Sequence, residues 1–200
     1  MNLMKKKSPK NEHRFTFDDP LLTIKMGENL LDWIPNGSQD IIILCIGTDR
    51  STGDSLGPIT GMFLKEREMK ELTVFGTISN PVHAVNLEDE LLHIKQQFSN
   101  PYIIAVDACL GKTKSIGSII AGRGPLKPGA ALNKALPDVG DVHISGVVNV
   151  AGFMEYYILQ NTRLDTVIRM AGSIANVLSY MDKQLHLIRK KVTNLSQKPI

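Results

Sequence analysis

Two short, unbroken apolar runs, at 40–46 and 101–107, constrain this chain most strongly. Neither has the polar positions that a surface helix shows every turn, nor the alternation of a half-exposed strand. Both are rich in isoleucine and bounded by turn residues, which predicts strands buried on both faces, as in a parallel sheet covered by helices. The intervening sequence supplies the helices. Leu56, Ile59 and Phe63 recur at helical spacing, and Leu87, Leu91, Ile94 and Phe98 give a second segment one apolar face. Between them 72–75 reads as a short strand. Upstream, Asp18-Asp19-Pro20 is an acidic cap followed by proline at the first helical position, opening a helix that runs to about Trp33. Downstream, 116–121 reads as a further strand. The stretch 142–148 reads as a strand or as the lead-in to a helix through Glu155 and Leu159. Residues 164–181 form a long amphipathic helix. The alternation predicts an α/β protein, a three-layer α/β/α sandwich with a mostly parallel sheet.

The 200 residues suit one domain. Residues 1–17 read as a disordered tail, 18–183 as the domain, and 184–200 as a helix end with a mobile basic tail. The formal charge of +3 sits largely in those tails, which favours solvated ends over a nucleic-acid partner. No apolar run approaches the roughly 18 residues of a membrane span, and the basic start has no apolar segment behind it, so a membrane or secretory role is not expected. Cys45 and Cys109 fall in or beside apolar strands and read as buried thiols of a reducing cytosol.

Chemistry concentrates where the two strands end. Asp54 lies in the loop Gly47-Thr-Asp-Arg-Ser-Thr-Gly-Asp54-Ser-Leu-Gly57-Pro, and Asp107 closes the second run. In a parallel sheet both project from the carboxyl edge, where open α/β folds keep their sites. Asp54 on its own also reads as a helix cap, and Asp107 as a loop anchor. Together, two neighbouring carboxylates can share a proton, which supplies an acid and a base at neutral pH. His143 stands where a long irregular loop, 124–141 with three prolines and three glycines, meets the next element. With Asp54 and Asp107 it makes a three-ligand set for a divalent ion, nickel or zinc, although the sequence fixes no cofactor. Gly47, Thr48, Gly53, His83 and Gly111 occupy the loops around these carboxylates and are the candidate substrate-binding positions.

Other chemistries are less well supplied. The glycine spacing matches neither G-x-G-x-x-G nor the P-loop, so a nucleotide site lacks its signature. Gly-x-Ser-x-Gly is absent and neither cysteine has an activating neighbourhood, which favours activated water over a nucleophilic side chain.

The loop ending Asp54-Ser-Leu-Gly-Pro and the strand ending Ala105-Val-Asp107-Ala resemble those of the spore germination protease, whose two proposed catalytic aspartates correspond to Asp54 and Asp107. The same layout is similar to the hydrogenase maturation endopeptidases, whose nickel-contacting Glu, Asp and His correspond to Asp54, Asp107 and His143. The stretches Pro81-Val-His-Ala-Val-Asn86, Gly124-Pro-Leu-Lys-Pro-Gly129 and Gly152-Phe-Met-Glu-Tyr-Tyr157 resemble the YyaC-type sporulation family, over roughly residues 20–180. These resemblances imply a hydrogenase-maturation-protease-like (phosphorylase/hydrolase-like) fold. They also imply a peptidase acting on a peptide or protein in the cytoplasm of a sporulating cell or spore. The alternative they leave open is a non-catalytic spore-protein or ligand-binding module with the same fold, and either form leaves room for a homo-oligomer.

Overall fold

A computed structural model describes residues 12–35, 39–128 and 136–196. Six strands form one sheet: β1 (Glu12–Thr16), β2 (Ile41–Cys45), β3 (Leu72–Phe75), β4 (Tyr102–Gly111), β5 (Ser118–Arg123) and β6 (Val142–Val150). Their spatial order is β1-β5-β6-β4-β2-β3. The pairs β3–β2, β2–β4 and β4–β6 are parallel, while β5 runs antiparallel to both β6 and β1. The helices are α1 (Leu22–Trp33), α2 (Leu56–Lys65), α3 (Leu87–Gln97), α4 (Glu155–Gln160) and α5 (Leu164–Ser196).

Period-two alternation assigns each strand residue to a face. In β2, Ile41, Ile43 and Cys45 join the larger core with Met26, Leu30, Leu64 and Ile174, under α1, α2 and α5. Ile42 and Leu44 point the other way and pack with Leu87 and Ile94 of α3 and with Leu126 and Val139. Every side chain of β2 is essentially inaccessible. That double burial is why the sequence carries no polar position there. The three-layer α/β/α arrangement with a mostly parallel sheet is therefore as expected.

Four boundaries differ from the sequence reading. Residues 12–16, assigned to a tail, form β1 at the sheet edge, and Phe17 N–H donates to Gly117 O at 3.0 Å. Residues 1–11 of that tail lie outside the described residues. Helix α1 begins at Leu22 rather than Pro20, because Asp19 closes a turn first: its Oδ1 accepts from Leu21 N–H (2.9 Å) and its carbonyl from Leu22 N–H (2.9 Å). Strand β4 does not stop at Asp107 but continues to Gly111, because β6 is long enough to pair with it past the core. Helix α5 runs unbroken to Ser196, through residues read as helix end and tail. Residues 197–200 lie outside the description, as does 129–135 of the long loop, whose flanks are tied by Leu126 pairing with Val139.

One buried carboxylate fastens α5 to the sheet. Asp182 is 2% exposed, and its Oδ1 accepts the backbone N–H groups of Lys70, Glu71 and Leu72 at 3.1, 2.8 and 3.1 Å. It thereby satisfies the donors that lead into β3, which the sheet itself leaves open.

Candidate functional site

The strand order reverses between β2 and β4. From β2 the chain moves outward through α2 to β3 on one face, and it returns through α3 to β4 on the other. Ligands of open α/β sheets bind at such a switch point, outside the carboxyl ends of the strands. Asp54 follows β2, and Asp107 is the last fully enclosed residue of β4, at 9% exposure.

The loop between β2 and α2 is shaped by its own backbone. Thr48 N–H donates to Asp54 O (3.1 Å), Ser55 N–H to Ser51 O (3.0 Å) and Ser55 Oγ–H to Thr52 O (2.6 Å). Gly47 has φ +139°, and a Cβ there would stand 1.9 Å from the Asp54 carbonyl oxygen. A Cβ on Gly57 would stand 2.1 Å from Ile46 O. The glycines thus let the start of α2 close over the end of β2 and set Asp54 in place. Ser55 rather than Asp54 occupies the N-cap of α2, and it makes no side-chain cap bond. The helix-cap alternative for Asp54 therefore does not describe its position.

A cavity of about 510 Å³ opens at this edge, bordered by Asp54, Asp107, His83 and His143. Burial raises the pKa of both aspartates. For Asp107 it rises well above the ordinary carboxylate range, through burial first and the nearby Asp54 second, against one opposing hydrogen bond from Ala108 N–H at 2.8 Å. For Asp54 burial again leads, opposed by the Thr48 N–H and by His83. Two carboxyl groups that share an enclosed site cannot both ionise readily, and the neutral form is the more strongly favoured at the deeper Asp107. Cys109 also borders the cavity, but its thiol is pushed up to about 12 by burial and then by Asp107, which removes it as a nucleophile.

The family model of DUF1256, described as a protein of unknown function, matches residues 14–177 and so takes in the whole of this site. The chain belongs to the DUF1256 family. It is 58% identical over 145 residues to the uncharacterized protein YyaC of Bacillus subtilis (strain 168), which covers 72% of this chain and 71% of that protein. Its fold is similar to that of the [NiFe] hydrogenase maturation protease HycI from Thermococcus kodakarensis KOD1. The TM-score is 0.52 at 16% identity, over 78% of this chain and 99% of that one. At that identity the likeness is one of fold alone.

In this DUF1256 protein the two histidines behave differently from each other. His83 sits in a loop pinned to the end of β2, where Gly47 N–H donates to Val82 O (2.8 Å) and His83 N–H to Asn86 Oδ1 (2.8 Å). Its Nδ1 is held by Val85 N–H at 3.3 Å. His143 pairs with Ala105 of β4, two residues before Asp107, on the same sheet face. A Cβ on Gly122 of β5 would lie 2.5 Å from its Cε1, so the ring leans over β5, away from β4. Its Nδ1 is 2.9 Å from Gly124 O.

His143 borders the same cavity as the two aspartates, with its ring against Gly122 of β5. Among the described residues no three His, Cys, Asp or Glu side chains converge to hold a metal ion, so the set of Asp54, Asp107 and His143 does not fit one. Of the candidate substrate contacts, Thr48 and His83 border the cavity, whereas Gly47, Gly53 and Gly111 do not. Gly53 instead admits α4, since a Cβ would stand 2.8 Å from Leu159, and Gly111 faces Val147. The sequence reading did not single out Ser51, Lys127 and Tyr156 on the cavity wall, although each stands in a stretch it noted, 47–58, 124–129 and 152–157 respectively.

Proposed function

We propose that this chain is a peptidase that hydrolyses an amide bond with water activated between Asp54 and Asp107. The observation that carries the reading is the shared enclosure of these two carboxyl groups at the switch point of the sheet, where burial and the neighbouring Asp54 both favour the neutral form of Asp107. Asp54, as carboxylate, takes a proton from the attacking water. Asp107, as acid, gives its proton to the carbonyl oxygen as the new C–O bond forms. Collapse of the tetrahedral species breaks the C–N bond, the amine leaves with the proton held by Asp54, and Asp107 recovers its own from the former water hydroxyl. His83 opposes the rise in the Asp54 pKa and so helps keep that base ionised. The substrate is a peptide or protein segment. The resemblance of the 47–58 loop to that of the germination protease supports a setting in the cytoplasm of a sporulating cell.

The test is cleavage of a peptide library followed by mass spectrometry, for the wild type, Asp54→Asn and Asp107→Asn. Each variant is expected to lose about 10²- to 10⁴-fold in rate. Cleavage by folded Asp107→Asn at the wild-type rate refutes the mechanism. A non-catalytic ligand-binding module is the second reading, favoured by the apolar walls contributed by Val85, Leu110, Leu126 and Leu159. Peptide binding without cleavage selects it.

A further inference from the structure

Strand β4 is bonded over different lengths on its two sides. Toward β6 the ladder runs to the end of the strand, where Gly111 pairs with Val150 and Ala151 N–H donates to Gly111 O at 2.7 Å. Toward β2 it stops at Val106, which pairs with Cys45 and accepts Ile46 N–H at 2.7 Å. Beyond Ile46 the chain leaves the sheet, and the Ile46 carbonyl is covered by the start of α2, where a Cβ on Gly57 would stand 2.1 Å away. The backbone groups of successive strand residues point to alternate sides. Val106 faces β2 and Gly111 faces β6, so Ala108 and Leu110 face the line that β2 has vacated. Ala108 N–H is met there by the adjoining Asp107 Oδ1 at 2.8 Å. Among the described residues, no hydrogen bond reaches Ala108 O or Leu110 N–H.

A strand edge with open donors and acceptors is a template for another extended chain, and proteins normally cover it. This one lies within the sheet rather than at its border. Ala108 and Leu110 are half-buried, and together with Thr48, Arg50, Ala84 and Val85 they border the cavity. We propose that residues 108–110 of β4 receive an extended polypeptide segment as an added strand that continues the line of β2. In the parallel sense, one peptide residue gives its N–H to Ala108 O and accepts Leu110 N–H. The pattern selects the ligand class, because main-chain amides at strand spacing match both groups while alternate side chains turn toward the walls. Asp107 immediately precedes Ala108, so a segment laid along this edge passes the pair of acids. The inference rests on reading the cavity as a peptide site and adds how the peptide is held: by its main chain, extended.

The probe is N-acetyl-valyl-leucyl-valine methylamide, titrated into the 15N-labelled full chain and followed by amide chemical shifts. Its side chains favour a strand and suit the wall residues Val85, Leu126 and Leu159. Saturable shifts at Ala108 and Leu110 are expected, with hydrogen exchange at Leu110 slowed about tenfold or more at saturation. Two analogues carry an N-methyl group, one on the leucine and one on the valine after it, whose nitrogens point to opposite sides of a strand. One analogue is expected to bind about tenfold more weakly than the other. No saturable binding at millimolar peptide, equal affinities of the two analogues, unchanged exchange at Leu110, or protection of Leu110 by self-association of the chain each overturn the proposal. Binding of the expected kind by a chain that cleaves no library peptide keeps this edge and removes the peptidase reading. Cleavage of library peptides that leave exchange at Leu110 unchanged does the reverse.

Discussion

The Asp182 fastening allows a stability change to be worked out in advance. Asp182→Ala removes the only side-chain acceptor given to three backbone N–H groups, and their positions set the cost. Leu72 is 6% exposed and begins β3, so its donor has no access to water; Glu71 is half-buried and Lys70 exposed. An enclosed backbone donor left without a partner costs about 1–3 kcal/mol, and bonds to a charged acceptor contribute about 1.5–3 kcal/mol. Taking Leu72 in full, Glu71 in part and Lys70 as rescued by solvent gives about 3–5 kcal/mol. For a domain of this size that lowers Tm by about 10–15 °C. Asp182→Asn keeps an oxygen for Glu71 and Leu72 but turns an NH₂ group toward Lys70, and is expected to lose about half as much. Urea titration measures both. The midpoint should fall with an unchanged slope, since the unfolded chain is not altered. A loss under about 1 kcal/mol for Asp182→Ala would show that these donors find other partners, and that α5 is held to β3 by packing alone.

Asp107→Asn is expected to abolish cleavage yet raise stability at neutral pH. A carboxyl group whose folded pKa lies above its ordinary value of about 3.9 gives its full stability below that value and loses it as pH rises through the folded pKa. The gain from the amide should therefore appear at pH 7 and vanish below about pH 4 in thermal melts; a Tm at or below that of the wild type at pH 7 counts against it. The pH–rate profile of the wild type should be bell-shaped, its acid limb set by the raised Asp54 and its alkaline limb by the more strongly raised Asp107. A rate that stays flat to alkaline pH would mean that no carboxylic acid takes part. Gly47→Ala should destabilise by about 3 kcal/mol or more and remove activity, because its Cβ meets the Asp54 carbonyl; an intact melt would show that the loop can yield. His143→Gln should change rate by less than about tenfold, in contrast to either aspartate, since its ring leans toward β5 and touches the reaction only through the cavity wall.

The sequence revealed whatever depends on burial on both faces of a strand. β2 and the first part of β4 could be read because no polar residue survives there, and α3 because its apolar face repeats at helical spacing. β1 could not be read. Glu-His-Arg-Phe-Thr at a sheet edge is half solvated, and its pairing is decided by β5, more than a hundred residues away. The two aspartates were visible because apolar strands deliver them, but the glycines around them were misread as ligand contacts. Their purpose is the approach of one backbone to another, which sequence spacing alone does not distinguish from approach to a ligand. His143 stands at the junction where the sequence puts it, at the start of β6 after the long loop. The direction of its ring depends on Gly122, and that pairing emerges only when β5 folds back against β6.

The loop that sets Asp54 is built from backbone contacts and glycines, whereas much of the surface around the cavity comes from separate stretches near 84–85, 125–127 and 155–156. On the proposed reading, chemistry and selectivity are thus written in different parts of the chain. A lineage, or a protein engineer, can exchange the outer stretches to change what is gripped while the pair of acids at the base stays untouched. Grafting the 151–157 segment between relatives should transfer preference without transferring rate.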